Sequence, residues 1–435
     1  MRELLKYIWL LSATLLLWPV LAHADDQPKP VDQRLTQDWG GLRTSLEDKG
    51  VKVMAQYQSE TAGNPVGGEK QAVRYTQQIV LFLTADLDRL IGVKGGSFRF
   101  AIEDRKGKSP SNDAVGNYFS VEQLYGAGMN FRLSEMSYQQ DFNDGRGELQ
   151  AGWFPLGNNF ALNPYGCYFQ NNGICDKPIG ITQVSQGAHN FPVAQWGARA
   201  KVYVAKDIYV TGGVFQVNPH LSDPDHGFNL SFSSTGVIMP YEIAWTPKLG
   251  RDELPGEYKV GGFYNTAPVS DLRLDINRQP VAVTGQPFLQ HSPVSSYYVM
   301  ANQMLFRESP GSKRGLAVFA TYVWGDPKVS QLAKAWEFGA VYQRGPFHRD
   351  EDYIGVVIAS GSFSRRLRQY EMELATVMPN APGVQTSEKI VEIDYNFQAA
   401  PWLALRPGAQ YIVRPFGTGD IPDAVILGLD VTVNF

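Results

Sequence analysis

The stretch AVILGLDVTVNF (Ala424–Phe435) alternates without a break. Successive side chains of an extended strand point to opposite sides. Val425, Leu427, Leu429, Val431, Val433 and Phe435 therefore share one face, and Ile426, Gly428, Asp430, Thr432 and Asn434 share the other. The first face is oily throughout, while the second carries a carboxylate, an amide, a hydroxyl and a glycine. In a soluble sandwich or barrel the apolar face turns inward, and a charge buried with it is expensive unless paired. In a transmembrane barrel the oily face meets acyl chains and the polar face borders water.

The same period runs upstream. Trp196, Ala198, Ala200, Val202 and Val204 oppose Gln195, Arg199, Lys201 and Tyr203; Phe98, Phe100 and Ile102 oppose Arg99, Glu103 and Arg105. Sixteen alternating segments can be read, from Val51–Glu60 and Val73–Leu87 to Trp402–Val413 and Ala424–Phe435. Tyr370–Val377 looks like a further strand. Bacterial outer-membrane barrels normally have an even number, so it is assigned to a loop. Short connections (205–207, 143–147, 398–401) alternate with long ones (106–130, 157–193, 218–236, 267–295). That is the pattern of turns at a periplasmic end and loops at an external end. Aromatics at segment ends, among them Trp153, Trp245, Trp324, Trp402 and Tyr411, suit interfacial girdles. The expected fold is all-β: a 16-stranded antiparallel transmembrane β-barrel with short periplasmic turns, long extracellular loops and a short N-terminal helix.

Composition agrees. The 435 residues are 43% apolar and only 19% charged, with a net charge of −4, which gives no basis for nucleic-acid binding. A mean hydropathy of −0.24 excludes a polytopic helical membrane protein. Residues 1–24 read as a secretory signal peptide: Arg2 and Lys6, an apolar core, then Ala22-His23-Ala24. Residues 25–50 form a periplasmic segment with a short helix at Trp39–Lys49, its Leu42 and Leu46 on one face; 51–435 form the barrel. Phe435 at the end of an alternating strand fits recognition by outer-membrane assembly machinery. Cys167 and Cys175, eight positions apart in an exported chain, are expected to form a disulfide within one loop.

Enzyme motifs are missing: there is no HExxH, GxSxG or phosphate-binding loop. His220 and His226 beside Asp223 and Asp225 read as a solvated loop rather than a metal site, and no cofactor is expected. The informative residues are charges turned toward the channel: Arg99, Glu103 and Arg105 on one strand, Glu135 and Gln139 on the next, and Arg199 and Lys201 further round. Guanidinium and carboxylate groups together match the vicinal hydroxyls of a sugar. Tyr165, Tyr168 and Phe169, in the loop containing the cysteines, offer apolar faces for a sugar ring if that loop folds inward.

These stretches resemble the OprB-type carbohydrate-selective porins. The resemblance rests on LTQDWGGLRTSLEDKGV (Leu35–Val51), LSEMSYQQDF (Leu133–Phe142), LQAGWFPLGNNFALNPYGCYFQNNGICDKP (Leu149–Pro178), YKVGGFYNT (Tyr258–Thr266), APWLALRPGAQYIVRPFG (Ala400–Gly417) and the C-terminal strand. It implies an outer-membrane barrel of a Gram-negative bacterium that passes glucose and related sugars by diffusion. It also implies an Arg/Glu-lined eyelet narrowed by inward-folded loops. Arg99, Glu103, Arg105 and Glu135 are the eyelet candidates by position. Where the family pattern often reads W-L-x-L-Q-P-D, this chain has Trp402-Leu403-Ala404-Leu405-Arg406-Pro407-Gly408. A luminal Arg406 adds positive charge, and keeps small organic anions or acidic sugars as an alternative solute. An outer-membrane barrel enzyme and a soluble secreted β-rich lectin or hydrolase are the remaining alternatives. Expected partners are sugar and outer-membrane lipid, with homotrimer and monomer as the two options for assembly; nucleic acid is not among them.

Overall fold

The computed structural model describes residues 33–435 apart from 176, 313 and 348, so the expected leader and His348 lie outside the described residues. Sixteen strands form the wall. They begin with β1 (Val51–Val66), β2 (Val73–Asp86), β3 (Gly96–Gly107), β4 (Phe131–Phe142) and β5 (Gly147–Phe154). Then come β6 (Gln195–Tyr203), β7 (Ile208–Val217), β8 (Gly236–Trp245), β9 (Leu254–Asn265) and β10 (Val294–Arg307). The wall finishes with β11 (Gly315–Trp324), β12 (Leu332–Gln343), β13 (Tyr353–Phe363), β14 (Ser387–Ala400), β15 (Leu403–Val413) and β16 (Ala424–Asn434). Each strand pairs antiparallel with the next, and β16 returns to β1, with Asn434 opposite Gln56 and Asp430 opposite Glu60. Closure leaves the barrel wall no unpaired edge among the described residues.

Burial alternates as the sequence pattern requires. On β16 Leu427 and Leu429 are exposed, while Ile426 and Asp430 are buried. Ile243, Val260, Phe338, Ile358 and Ile393 project outward in the same way. So continuous an apolar belt is far larger than a soluble monomer exposes; it is the lipid-facing surface. Both described ends lie at one rim, where the Leu35 amide donates to the Asn434 carbonyl at 3.0 Å and the Phe435 amide to Ala55 at 2.9 Å. The turns at that rim include 143–146, 204–207 and 401–402. The opposite rim carries eight loops, numbered in chain order. The long ones are loop 2 (108–130), loop 3 (155–194), loop 4 (218–235), loop 5 (266–293) and loop 7 (364–386).

Two local expectations need correction, and a third gains detail. The strand-like stretch Tyr370–Val377 lies in a loop, but as the end of a helix, Arg365–Val377, capped by Ser364 accepting the Arg366 amide at 3.1 Å. Glu, Met, Leu and Ala there are good helix formers. The N-terminal helix forms where expected, at Leu42–Asp48; Leu42 is exposed and Leu46 half-buried, whereas Arg43 is enclosed, stacked on Trp39 at 3.9 Å and donating to the Gln37 carbonyl at 2.8 Å. Trp153, expected in a girdle, is only 3% exposed. Loop 4 folds over it, placing Leu221 and Leu230 in its cluster, and its indole donates to the Leu133 carbonyl at 2.9 Å.

Loops 5 and 7 are clasped to each other. Asp271 accepts from Arg366 (2.7 and 2.6 Å), His291 (2.7 Å) and the amides of Arg273 and Leu274 (2.8 Å each). Burial alone would raise this carboxyl; the Arg366 guanidinium and the amide and His291 donors outweigh it and hold it down to about 2. A carboxyl depressed in the folded state contributes stability that is complete above its ordinary range, about 4, and declines as the pH falls toward the folded value. Hydrogen-exchange protection of the Arg273 and Leu274 amides, corrected for intrinsic rate, is therefore expected to hold down to about pH 4. It should then vanish as the pH falls through about 2. Asp271→Asn should remove the pH dependence.

Candidate constriction site

Strands β3 to β6 turn one polar face inward. The register sets Gln139 opposite Gln150 and Gln150 opposite Arg199, so three long polar side chains form one row. Arg199 Nε donates to Gln150 Oε1 at 2.9 Å, and its Nη2 donates to Glu148 at 2.8 Å and to Gln139 at 3.4 Å. Lys201 adds a second cation 3.5 Å from Glu148. Glu135 Oε1 accepts from Ser137 Oγ at 2.8 Å and from Gln150 Nε2 at 3.3 Å. Arg99 stands beside this lattice, with Ser137 as its cross-strand neighbour and Glu135, Arg199 and Glu148 as charged neighbours. Its guanidinium makes no hydrogen bond to any described residue. The structure thus brings Arg99, Glu135, Gln139 and Arg199 together.

Glu103 and Arg105, on the same strand as Arg99, enter a different chain of contacts. They lie 3.4 Å apart, and Arg105 Nε donates to Gln78 Oε1 at 3.1 Å. Gln78 donates to Gln58 (3.3 Å), Gln58 to Asp430 (2.5 Å), and Asp430 pairs with Arg406 (3.3 Å). This ladder crosses β3, β2, β1, β16 and β15, so it spans the seam where the barrel closes. Arg406 is accordingly no free positive charge. Besides Asp430 it donates to the Cys167 carbonyl at 2.8 Å and the Tyr353 hydroxyl at 3.3 Å, holding loop 3.

Loop 3 runs inside the barrel. Cys167 and Cys175 are joined by a disulfide. Tyr168 and Phe169, expected to offer their rings to solute, are buried: Tyr168 lies 4.1 Å from the Tyr353 ring and Phe169 6.0 Å from Phe319. Tyr165 is half-buried and stacks on Phe319 at 5.9 Å. The lumen face is therefore not polar all round. Tyr298, Phe319, Val357, Ile390 and Ile412 form an apolar wall that receives Phe160, Phe169 and Ile174 of the loop. Burial, with the Arg132 guanidinium nearby, pushes the His189 imidazole of loop 3 down to about 4, so it stays uncharged at neutral pH.

Wall carboxylates that sequence reasoning missed hold the loop backbones. Glu242 accepts the Ala161 amide at 2.9 Å, and Glu60 the Leu124 amide at 2.9 Å. Glu388 accepts the amides of Tyr118 (2.7 Å), Phe119 (3.0 Å) and Phe416 (2.7 Å). Lys259 donates to the Leu162 carbonyl at 2.9 Å. A sequence signal for these docking points does exist. Lumen-facing glycines mark close approach of another segment: a Cβ at Gly355 would meet Phe169 at 2.8 Å, at Gly361 it would meet Phe119 at 2.7 Å, and at Gly428 it would meet Gln170 at 2.0 Å. On exposed loop 4, His220 pairs with Asp223 and His226 with Asp225, each at 2.9 Å, apart from the barrel interior.

The comparisons with known proteins agree with this architecture. Residues 70–435 match the family described as carbohydrate-selective porin, OprB family. The chain is 32% identical to Porin B of Pseudomonas aeruginosa over 430 residues, covering 95% of this chain and 94% of that protein. It is 30% identical over 428 residues to a protein of Acinetobacter baylyi named putative porin QuiX, covering 93% of each. The high-pH structure of Pseudomonas putida OprB superposes with a TM-score of 0.88 at 32% identity, covering 93% of this chain and 98% of that one. The closed barrel, the inward third loop and these matches make the chain a member of the OprB family of carbohydrate-selective porins, an integral outer-membrane channel and not an enzyme.

Proposed function

We propose that the face carrying Arg99, Glu135, Gln139, Glu148, Gln150 and Arg199 is the constriction at which this sugar channel meets its solute. The observation that carries the reading is the contrast within that face. Arg199 is tied to three partners, whereas the adjoining Arg99, itself only 5% exposed, makes no hydrogen bond to a described residue and has Glu135 as its counter-charge. Mixed charge suits neutral polyols, because donors and acceptors are both presented and neither sign dominates. Conduction also requires a site weak enough to release what it binds. The positive charge that favoured acidic solutes, Arg406, is neutralised by Asp430. Every group of the face comes from one chain, so each copy has a complete pathway whether it is a monomer or part of a trimer.

The test is block of single-channel current by glucose. Arg99→Ala is expected to raise the half-blocking concentration about tenfold, the equivalent of one charge-assisted hydrogen bond of ~1.5 kcal/mol. Arg251→Ala, in an exposed periplasmic turn, should leave it unchanged. Equal effects at the two positions would remove Arg99 from the site.

A further inference from the structure

Glu392 on β14 and Gln410 on β15 face each other across the strand pair, and both side chains are buried. The Glu392 carboxylate accepts the backbone amides of Gln170 at 2.7 Å and Asn171 at 3.2 Å. The Asn171 side chain passes the contact on: its Nδ2 donates to Gln410 Oε1 at 3.0 Å. Gln410 Nε2 in turn donates to the Val121 carbonyl at 2.9 Å, and Val121 belongs to loop 2. The two loops also meet directly, the Asn172 amide donating to the Ser120 carbonyl at 2.8 Å. Two adjacent wall side chains thus hold loops 2 and 3 together as well as to the wall.

The clamp grips loop 3 inside its disulfide ring, since Gln170 and Asn171 lie between Cys167 and Cys175. Such a ring moves as a unit, so fixing two of its amides fixes its orientation. A buried amide that loses its acceptor is left with an unmet hydrogen bond, and the segment then turns toward other partners or solvent. Glutamate is not required for this as a charge. What is required is an acceptor oxygen at that distance from β14.

We infer that Glu392 and Gln410 are positioning residues that hold loops 2 and 3 as a single unit and so set the upper size of solute the channel admits. The inference rests on the reading of the barrel as a loop-narrowed sugar pore; it does not depend on where along the wall glucose binds.

The experiment is liposome swelling with glucose and maltotriose, on folded protein counted by its heat-modifiable gel mobility. Glu392→Ala is expected to raise the maltotriose-to-glucose rate ratio at least about fivefold and to add fluctuations to the single-channel current. Glu392→Gln, which keeps an acceptor oxygen, should restore the wild-type ratio. Gln410→Ala should raise the ratio as well, and it carries the test if Glu392→Ala fails to assemble. A wild-type ratio in folded Glu392→Ala or Gln410→Ala overturns the inference, and so does Glu392→Gln behaving like Glu392→Ala. Because the ratio reports size and not affinity, failure of the Arg99 assignment would leave it unchanged, and the two readings fail separately.

Discussion

Replacing Arg406 with methionine is expected to destabilise the barrel by about 3–5 kcal/mol, the range for removing one partner of a buried ion pair. The Arg406 and Asp430 side chains are each only 3% exposed, so the remaining Asp430 carboxylate would be left enclosed with, among the described residues, the Gln58 and Thr432 side chains as its donors. The Cys167 carbonyl would lose its donor too. Urea unfolding of the protein in lipid vesicles, followed by heat-modifiable mobility, gives the number. The penalty belongs to the unpaired charge rather than to the pair itself, so a double variant, Arg406→Met with Asp430→Leu, should recover most of the loss. A single variant of wild-type stability would mean that Arg406 does not hold the closure seam.

Leu429→Arg is expected to cost about 2–4 kcal/mol, the value for a cation set against the bilayer core on the outside of a barrel. Leu429 is exposed near the middle of β16, between Pro407 on one neighbouring strand and Thr61 on the other. Thr432→Arg, three positions along the same strand on the lumen side and within reach of Asp430, should be close to neutral. The same unfolding assay separates the two. Similar effects at both positions would mean that the strand does not divide lipid from water.

The wall of this barrel was legible in its sequence because each strand has one solvent per face, and a two-residue period needs no tertiary information. The strands around β3, β6 and β16 read correctly for that reason. What the period cannot carry is the path of a loop. Loop 3 has no repeat, and its position is set by contacts such as Phe169 with Phe319 and the Ala161 amide with Glu242, between residues far apart in the chain. Hence the sequence offers Tyr168 and Phe169 as solute-facing rings, whereas their partners are Tyr353 and Phe319 on the wall. The inward placement of Arg406 was readable from alternation, but its pairing with Asp430 depends on β15 lying beside β16 in register. Glu388 and Glu392 were likewise recognisable as inward carboxylates; that they hold loop amides was not. The lumen-facing glycines were the one local sign that something comes close to the wall.

The reading of this barrel as a neutral-sugar channel is tested most directly by one purified copy in a planar bilayer. Ionic current is recorded while glucose is added, followed by the reversal potential in a KCl gradient. Saturable block by glucose, with little preference between potassium and chloride, is the expected result. Strong anion selectivity with a current indifferent to glucose would contradict it.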